Sequence, residues 1–140
     1  MSETFTASER DTTTVGIGLG AELRAGDVVL LSGPLGAGKT AFARGLAQGL
    51  GCDPDDVSSP TFTIVQEYAG PVRLQHVDLY RLKPTEVDDL ALEDLIENNV
   101  LAVEWPDRWA RAPADAVLVD IEPQGGDARR IVIRDLRVQI

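Results

Sequence analysis

Hydrophobic and polar positions along this 140-residue chain change rhythm several times, and each rhythm predicts an element. Val28-Val29-Leu30-Leu31 is a continuous apolar run, as expected of a parallel strand covered on both faces. From residue 40 to about 50, Phe42, Leu46 and Leu50 recur every four residues, which is one face of a helix, with Gly51 at its end. Upstream, Ser8 with Asp11 three residues later has the form of a capping box and predicts a helix over residues 8–24, although glycines at 16, 18 and 20 weaken it. Ala25-Gly26-Asp27 reads as a turn. Residues 63–68 and 72–79 read as two strands joined at Gly70-Pro71. Pro84-Thr85 opens an acidic helical region whose apolar side is Leu90, Leu92, Leu95 and Ile96. Val100-Leu101-Ala102-Val103 is a second buried-type strand, and residues 117–121 and 131–133 predict a closing hairpin around Gln124-Gly125-Gly126-Asp127. Strands alternating with helices predict an α/β fold, with a central, partly parallel sheet flanked by helices and a C-terminal hairpin. The length suits one domain over residues 1–140, and no repeat or long linker divides it.

Composition sharpens this picture in three ways. Of the residues, 44% are hydrophobic but only 5% aromatic, so the core is expected to be Val, Leu, Ile and Ala. A net charge of −10 argues against stand-alone nucleic-acid binding, because phosphate contacts need a basic surface. If RNA is the ultimate substrate, another protein has to present most of the positive charge. Cys52 is the only cysteine, which excludes an internal disulfide or a zinc cluster. With no apolar run long enough for a signal peptide or a membrane span, a reduced, cytoplasmic location is expected. Charge is also unevenly placed. Residues 84–107 carry eight acidic side chains and no Lys or Arg, whereas the last thirteen carry Arg129, Arg130, Arg134 and Arg137 against Asp135. Solvated faces explain such runs, and partner docking is the other reading.

Candidate chemistry concentrates after the first apolar strand. Gly33-Pro34-Leu35-Gly36-Ala37-Gly38-Lys39-Thr40 fits the phosphate-loop pattern at every fixed position, between an apolar strand and an amphipathic helix. Small residues let the backbone wrap closely round phosphates and point successive N–H groups at their oxygens. The following helix adds the positive end of its dipole. Lys39, one of two lysines in the chain, is expected to reach the β- and γ-phosphates, and the Thr40 hydroxyl to ligate magnesium. A nucleoside triphosphate with Mg2+ is therefore the expected ligand. Leu35, Gly36, Ala37, Gly38, Lys39 and Thr40 form its cradle.

A site of this kind needs a carboxylate at the end of a buried strand to help hold magnesium. Glu104 follows the run 100–103, and Asp78 ends the segment Leu74-Gln75-His76-Val77. Both can serve the metal, or one can ligate it while the other orients the attacking water as general base. Spacing leaves that division open. Trp105 reads equally as a stacking partner for a nucleotide base or as a lid on the core. His76, the only histidine, reads as a structural strand residue before a catalyst. Ser58-Ser59-Pro60-Thr61-Phe62-Thr63 carries hydroxyls that can reach magnesium or the attacking water, or is a turn leading into a strand.

Taken together, Leu35-Gly36-Ala37-Gly38-Lys39-Thr40, Ser59-Pro60-Thr61-Phe62-Thr63, His76-Val77-Asp78-Leu79-Tyr80-Arg81-Leu82 and Val103-Glu104-Trp105-Pro106 resemble the bacterial TsaE family in order and spacing. The resemblance runs from about residue 11 to the C-terminal hairpin. It implies a single P-loop NTPase-like domain and a cytoplasmic ATPase of tRNA threonylcarbamoyladenosine modification. Its implied partners are TsaD and TsaB, which reach the adenosine beside the anticodon. It also implies magnesium at Thr40 and Glu104, Asp78 and Thr61 near the γ-phosphate, and an approach of the first helix that makes Asp11 a nucleotide candidate. Pro34 and Ala41 depart from the family's Asp and Thr, without removing a group that the loop needs. The C-terminal hairpin matches poorly and carries over no site. Two other classes compete with this reading: a small-molecule P-loop kinase and a non-catalytic ATP-binding module. A kinase needs an arginine-bearing lid and an acceptor pocket, and here the arginines are scattered in a short chain.

Overall fold

The computed structural model describes residues 1–55, 57, 58 and 64–137. Eight strands form one sheet among them: β1 (Ser2–Thr6), β2 (Val28–Ser32), β3 (Val57–Ser58), β4 (Val65–Tyr68), β5 (Arg73–Asp78), β6 (Asn99–Glu104), β7 (Val117–Pro123) and β8 (Arg129–Asp135). Their order across the sheet is β1-β8-β7-β2-β6-β5-β4-β3. The inner strands β7, β2, β6 and β5 run parallel, and antiparallel pairs extend both sides. The expected α/β fold with a partly parallel sheet and a C-terminal hairpin is therefore the one observed.

The apolar runs are continuous because both faces of the inner strands are covered. Val29 and Leu31 of β2 pack with helices α1 (Glu9–Gly20) and α2 (Lys39–Gly49). Val28 and Leu30 face the other cluster, which includes Val87 of α3 (Pro84–Asp88) and Leu92 of α4 (Leu92–Ile96). Phe42 and Leu46, two residues of the predicted helix face, are fully buried. Each such side chain contributes about 1.5–3 kcal/mol by leaving water. Cys52 is buried between backbone carbonyls of Tyr68 and Val72, and burial pushes its thiol up, so it packs rather than reacts.

The structure adds one element and corrects two expectations. β1, which lies outside every element predicted from the sequence, forms by pairing with β8, a long-range partner. The first helix begins as expected, with the Ser8 hydroxyl accepting from the Asp11 N–H and the Asp11 carboxylate accepting from the Ala7 N–H, but it ends at Gly20 rather than near residue 24. The acidic helical region is two short helices, because Ala91 takes a left-handed conformation at φ 49° and breaks it.

The glycines that weakened the first helix on sequence grounds turn out to join it to the second. A Cβ on Gly16 would lie 2.4 Å from the Phe42 carbonyl oxygen, and one on Gly45 would lie 2.2 Å from the Thr13 carbonyl oxygen. Backbone approaches backbone there, which fixes α2 and the loop before it against α1. Gly18, by contrast, faces open space. Gly45→Ala is expected to destabilise by about 1–3 kcal/mol through overpacking, whereas Gly18→Ala should stabilise by about 0.5–1 kcal/mol. Urea unfolding of the two variants checks the difference in sign.

Candidate functional site

The site forms where β2 ends and α2 begins. Gly33, at φ 149°, lies so close to β7 that a Cβ would meet the Ile121 carbonyl oxygen at 2.4 Å. Gly38 caps α2 in a left-handed conformation at φ 103°, where glycine costs least. The loop between them turns through an Ala37 N–H bond to the Pro34 carbonyl. Lys39 is the first helical residue and is almost fully buried, at 4% exposure. Its Nζ donates to the Gly33 carbonyl at 2.6 Å and lies 3.8 Å from Glu104 Oε1.

Two strands bring the acids to this point. Strand alternation puts Leu74, His76 and Asp78 of β5 on the α2 face, with Val100, Ala102 and Glu104 of β6 beside them in register. Asp78 and Glu104 are thus neighbours at the carboxyl ends of parallel strands, where open α/β sheets place their ligands. His76 lies opposite the small Ala102, and its Nε2 reaches diagonally to Glu104 Oε2 at 2.6 Å. An ionised carboxylate only accepts, so against it Nε2 carries the proton. His76 Nδ1 is buried without a partner. His76 is therefore a strand residue that also orients Glu104, a role its position in the sequence did not reveal.

Burial pushes the Lys39 ammonium below its ordinary value, against the opposing pull of the Glu104 and Asp78 carboxylates. The Trp105 ring covers this ammonium, with Nζ 4.0 Å from the ring centroid, and packs on Tyr80 at 5.0 Å between centroids. Trp105 holds a left-handed conformation at φ 61°, a strain of about 1–3 kcal/mol for a bulky residue, and its packing against Lys39 and Tyr80 sustains it.

A cavity of about 320 Å³ opens above the loop. Leu35, Gly36, Gly38, Lys39 and Thr40 line it, with Asp78 and Glu104 at one end. A smaller cavity of about 110 Å³ continues past Thr40, Asp78 and Glu104 to His76 and Gln66. Leu35 stands exposed at the loop tip, and Ala37 is buried beneath it. Asp11 is outside both linings; Glu9 and Thr12 of the same helix face the cavity instead. Trp105 likewise faces Lys39 rather than lining the cavity. Thr61, with residues 59–63, lies outside the described residues.

The hairpin contributes what the sequence left out. Arg129, at the start of β8, lines the cavity with Asp127 and donates to the Gly36 and Ala37 carbonyls of the loop. Its neighbours in sequence are occupied elsewhere: Arg130 pairs with Glu3 and Glu122, and Arg137 with Asp27 and Asp135. Most of the basic C-terminal run thus stitches the chain together internally.

As a donor set, the Thr40 hydroxyl with the Asp78 and Glu104 carboxylates is all oxygen and suits a hard divalent cation. Among the described residues no group of three or more His, Cys, Asp or Glu side chains forms a metal site.

A family model described as "Threonylcarbamoyl adenosine biosynthesis protein TsaE" matches residues 6–131. The chain belongs to the TsaE family. TsaE relatives agree along most of the length. The chain is 42% identical over 125 residues to the Nostoc protein named tRNA threonylcarbamoyladenosine biosynthesis protein TsaE, covering 85% of this chain and 76% of that one. It is 38% identical over 135 residues to the Aquifex aeolicus protein of that name, covering 95% and 96%. The crystal structure of Bacillus subtilis YdiB superposes with a TM-score of 0.79 at 31% identity, covering 96% of this chain and 85% of that one. The TsaE assignment ties the chain to tRNA threonylcarbamoyladenosine biosynthesis. No helix among the described residues is long and apolar enough to cross a membrane.

Proposed function

We propose that this chain is a cytoplasmic, magnesium-dependent ATPase that supports threonylcarbamoyl transfer to the adenosine beside the anticodon in tRNA. It acts with TsaD and TsaB and meets tRNA through that complex, as its net charge of −10 suits. The observation that carries the reading is the buried Lys39–Glu104 pair at 3.8 Å, set at the mouth of a glycine-rich loop beside Thr40 and Asp78.

Each residue then has a task. The loop backbone and the α2 N-terminus accept the phosphate chain. Lys39 leaves a poorly solvated position and meets the β- and γ-phosphate oxygens, which compensate its charge better than the Gly33 carbonyl does. Thr40 and Glu104, with Asp78 beside them, would hold magnesium, which would supply charge neutralisation to the phosphates. His76 keeps Glu104 aimed at the cavity. Asp78 is exposed; its Oδ1 accepts from the Tyr80 N–H, which leaves Oδ2 to orient water.

Glu104→Gln keeps the size and one acceptor for His76 but removes the charge. It should lower the hydrolysis rate by roughly 10²–10³-fold, the scale of losing one electrostatic stabiliser of the reacting group, with a smaller effect on nucleotide binding. A rate equal to wild type at saturating magnesium assigns the metal to Asp78 alone. The whole reading is tested by reconstitution with TsaD, TsaB, a threonylcarbamoyl donor and unmodified tRNA. Repeated modification should require this chain and hydrolysable ATP. Equal yields without the chain overturn the role.

A further inference from the structure

Arg129 stands 92 residues from the loop that it touches, and its donors are spent in an unusual way. Nε donates to the Ala37 carbonyl at 2.6 Å and Nη2 to the Gly36 carbonyl at 3.0 Å. Nη1 donates to the Gly126 and Ala128 carbonyls at 2.7 and 2.8 Å, which fixes the guanidinium to its own hairpin turn. Among the described residues, no carboxylate lies within ion-pair distance of it, unlike Arg130 and Arg137. A half-buried cation is thus held on neutral carbonyls, at the wall of a cavity read as a polyphosphate site.

The geometry explains what this arrangement does. A planar guanidinium that bonds two consecutive carbonyls fixes two consecutive peptide planes, which a single ammonium cannot do. In each plane the N–H points opposite the C=O, so pinning the Gly36 and Ala37 carbonyls also sets the N–H groups of Ala37 and Gly38. The first of those closes the turn on Pro34, so Arg129, Gly36, Ala37 and Pro34 form one hydrogen-bonded chain. Gly38 lies between Thr12 and Arg129 with room for a Cβ at ordinary contact distance, 3.6 Å from Thr12 and 3.7 Å from Arg129 Nε, so its φ of 103° rather than crowding calls for glycine. The loop has three glycines at positive φ, Gly33, Gly36 and Gly38, and, left alone, many other shapes to adopt.

We propose that Arg129 is a positioning residue that holds the glycine-rich loop in its triphosphate-accepting shape, coupling the C-terminal hairpin to the nucleotide site. The inference rests on the reading of that site as a triphosphate site. Removing the clamp should weaken triphosphate binding about 10–100-fold, the scale seen when an outer group that orients a metal ligand is lost.

The test measures binding of ATP and of inorganic tripolyphosphate, each with magnesium, to the intact wild-type chain and to Arg129→Gln and Arg129→Lys. Amide exchange of residues 33–40 in the ligand-free proteins is followed alongside. Arg129→Gln should lose affinity for both ligands by the same factor and exchange faster in the loop. Arg129→Lys keeps the charge but not the fork, so it should fail to rescue, and it decides the matter if Arg129→Gln does not fold. Wild-type affinity in both variants, full rescue by lysine, or weakening for ATP alone each overturns the inference. Failure of the wild type to bind either ligand overturns the triphosphate reading, and this inference with it.

Discussion

Adding TsaD and TsaB to the isolated chain is expected to raise its ATP turnover by up to about 10³–10⁵-fold, the value of an arginine finger supplied by another protein. The expectation follows from where the cations are. The glycine-rich loop contains no arginine, and Arg129, which lines the cavity, has its donors on the Gly36, Ala37, Gly126 and Ala128 carbonyls. Lys39 is then the main cation that the described residues offer to the cavity. Alone, the chain should turn over well below the roughly 1 per second typical of complete enzymes. Rapid hydrolysis by the lone chain, unchanged by partners, favours an autonomous ATPase. The acidic stretch over residues 84–107 is one candidate for the docking face. Glu86 caps α3 through the Lys83 N–H, and Glu93 accepts from Trp109, so charge reversal there disturbs the fold. Asp88 and Asp89 are exposed, and their reversal to lysine should weaken association most at low salt, where screening is least.

Lys39→Ala is expected to weaken ATP binding by about 2–5 kcal/mol, the cost of deleting one partner of a desolvated charge pair. In dissociation constant this is roughly 30- to 5,000-fold. The fold should survive, because removing the ammonium also removes a burial penalty. A pH dependence accompanies this effect. The folded-state pKa of Lys39 lies below 10.5, so in a window beneath that value the unfolded chain holds a proton that the folded, ligand-free chain has lost. Stability of the ligand-free protein therefore rises with pH through the window. Bound phosphate favours the charged lysine, so ATP affinity falls over the same range. Lys39→Met, which keeps most of the stem, should flatten both slopes. Urea unfolding and calorimetry across alkaline pH read them separately, and identical slopes in wild type and variant contradict the assignment.

The elements that the sequence made plain are those whose pattern is set by local burial. Residues 28–31 and 100–103 are apolar without interruption because helices cover both sheet faces, and Phe42 and Leu46 mark the buried side of α2. The placement of Asp78 beside Glu104 also follows from strand alternation once β5 and β6 are neighbours. What stayed hidden depends on contacts far apart in sequence. β1 exists only through β8, the glycines at 16 and 45 acquire meaning only where two helices touch, and Arg129 reaches the loop from the far end of the chain. His76 looked like one more strand residue until Glu104 lay 2.6 Å away.

Calorimetric titration of ATP into the intact wild-type chain, with and without magnesium, tests most directly whether the loop at residues 33–40 is a triphosphate site. One molecule of ATP per chain, bound more tightly when magnesium is present, is the predicted result. Folded protein that takes up no ATP in either condition would contradict it.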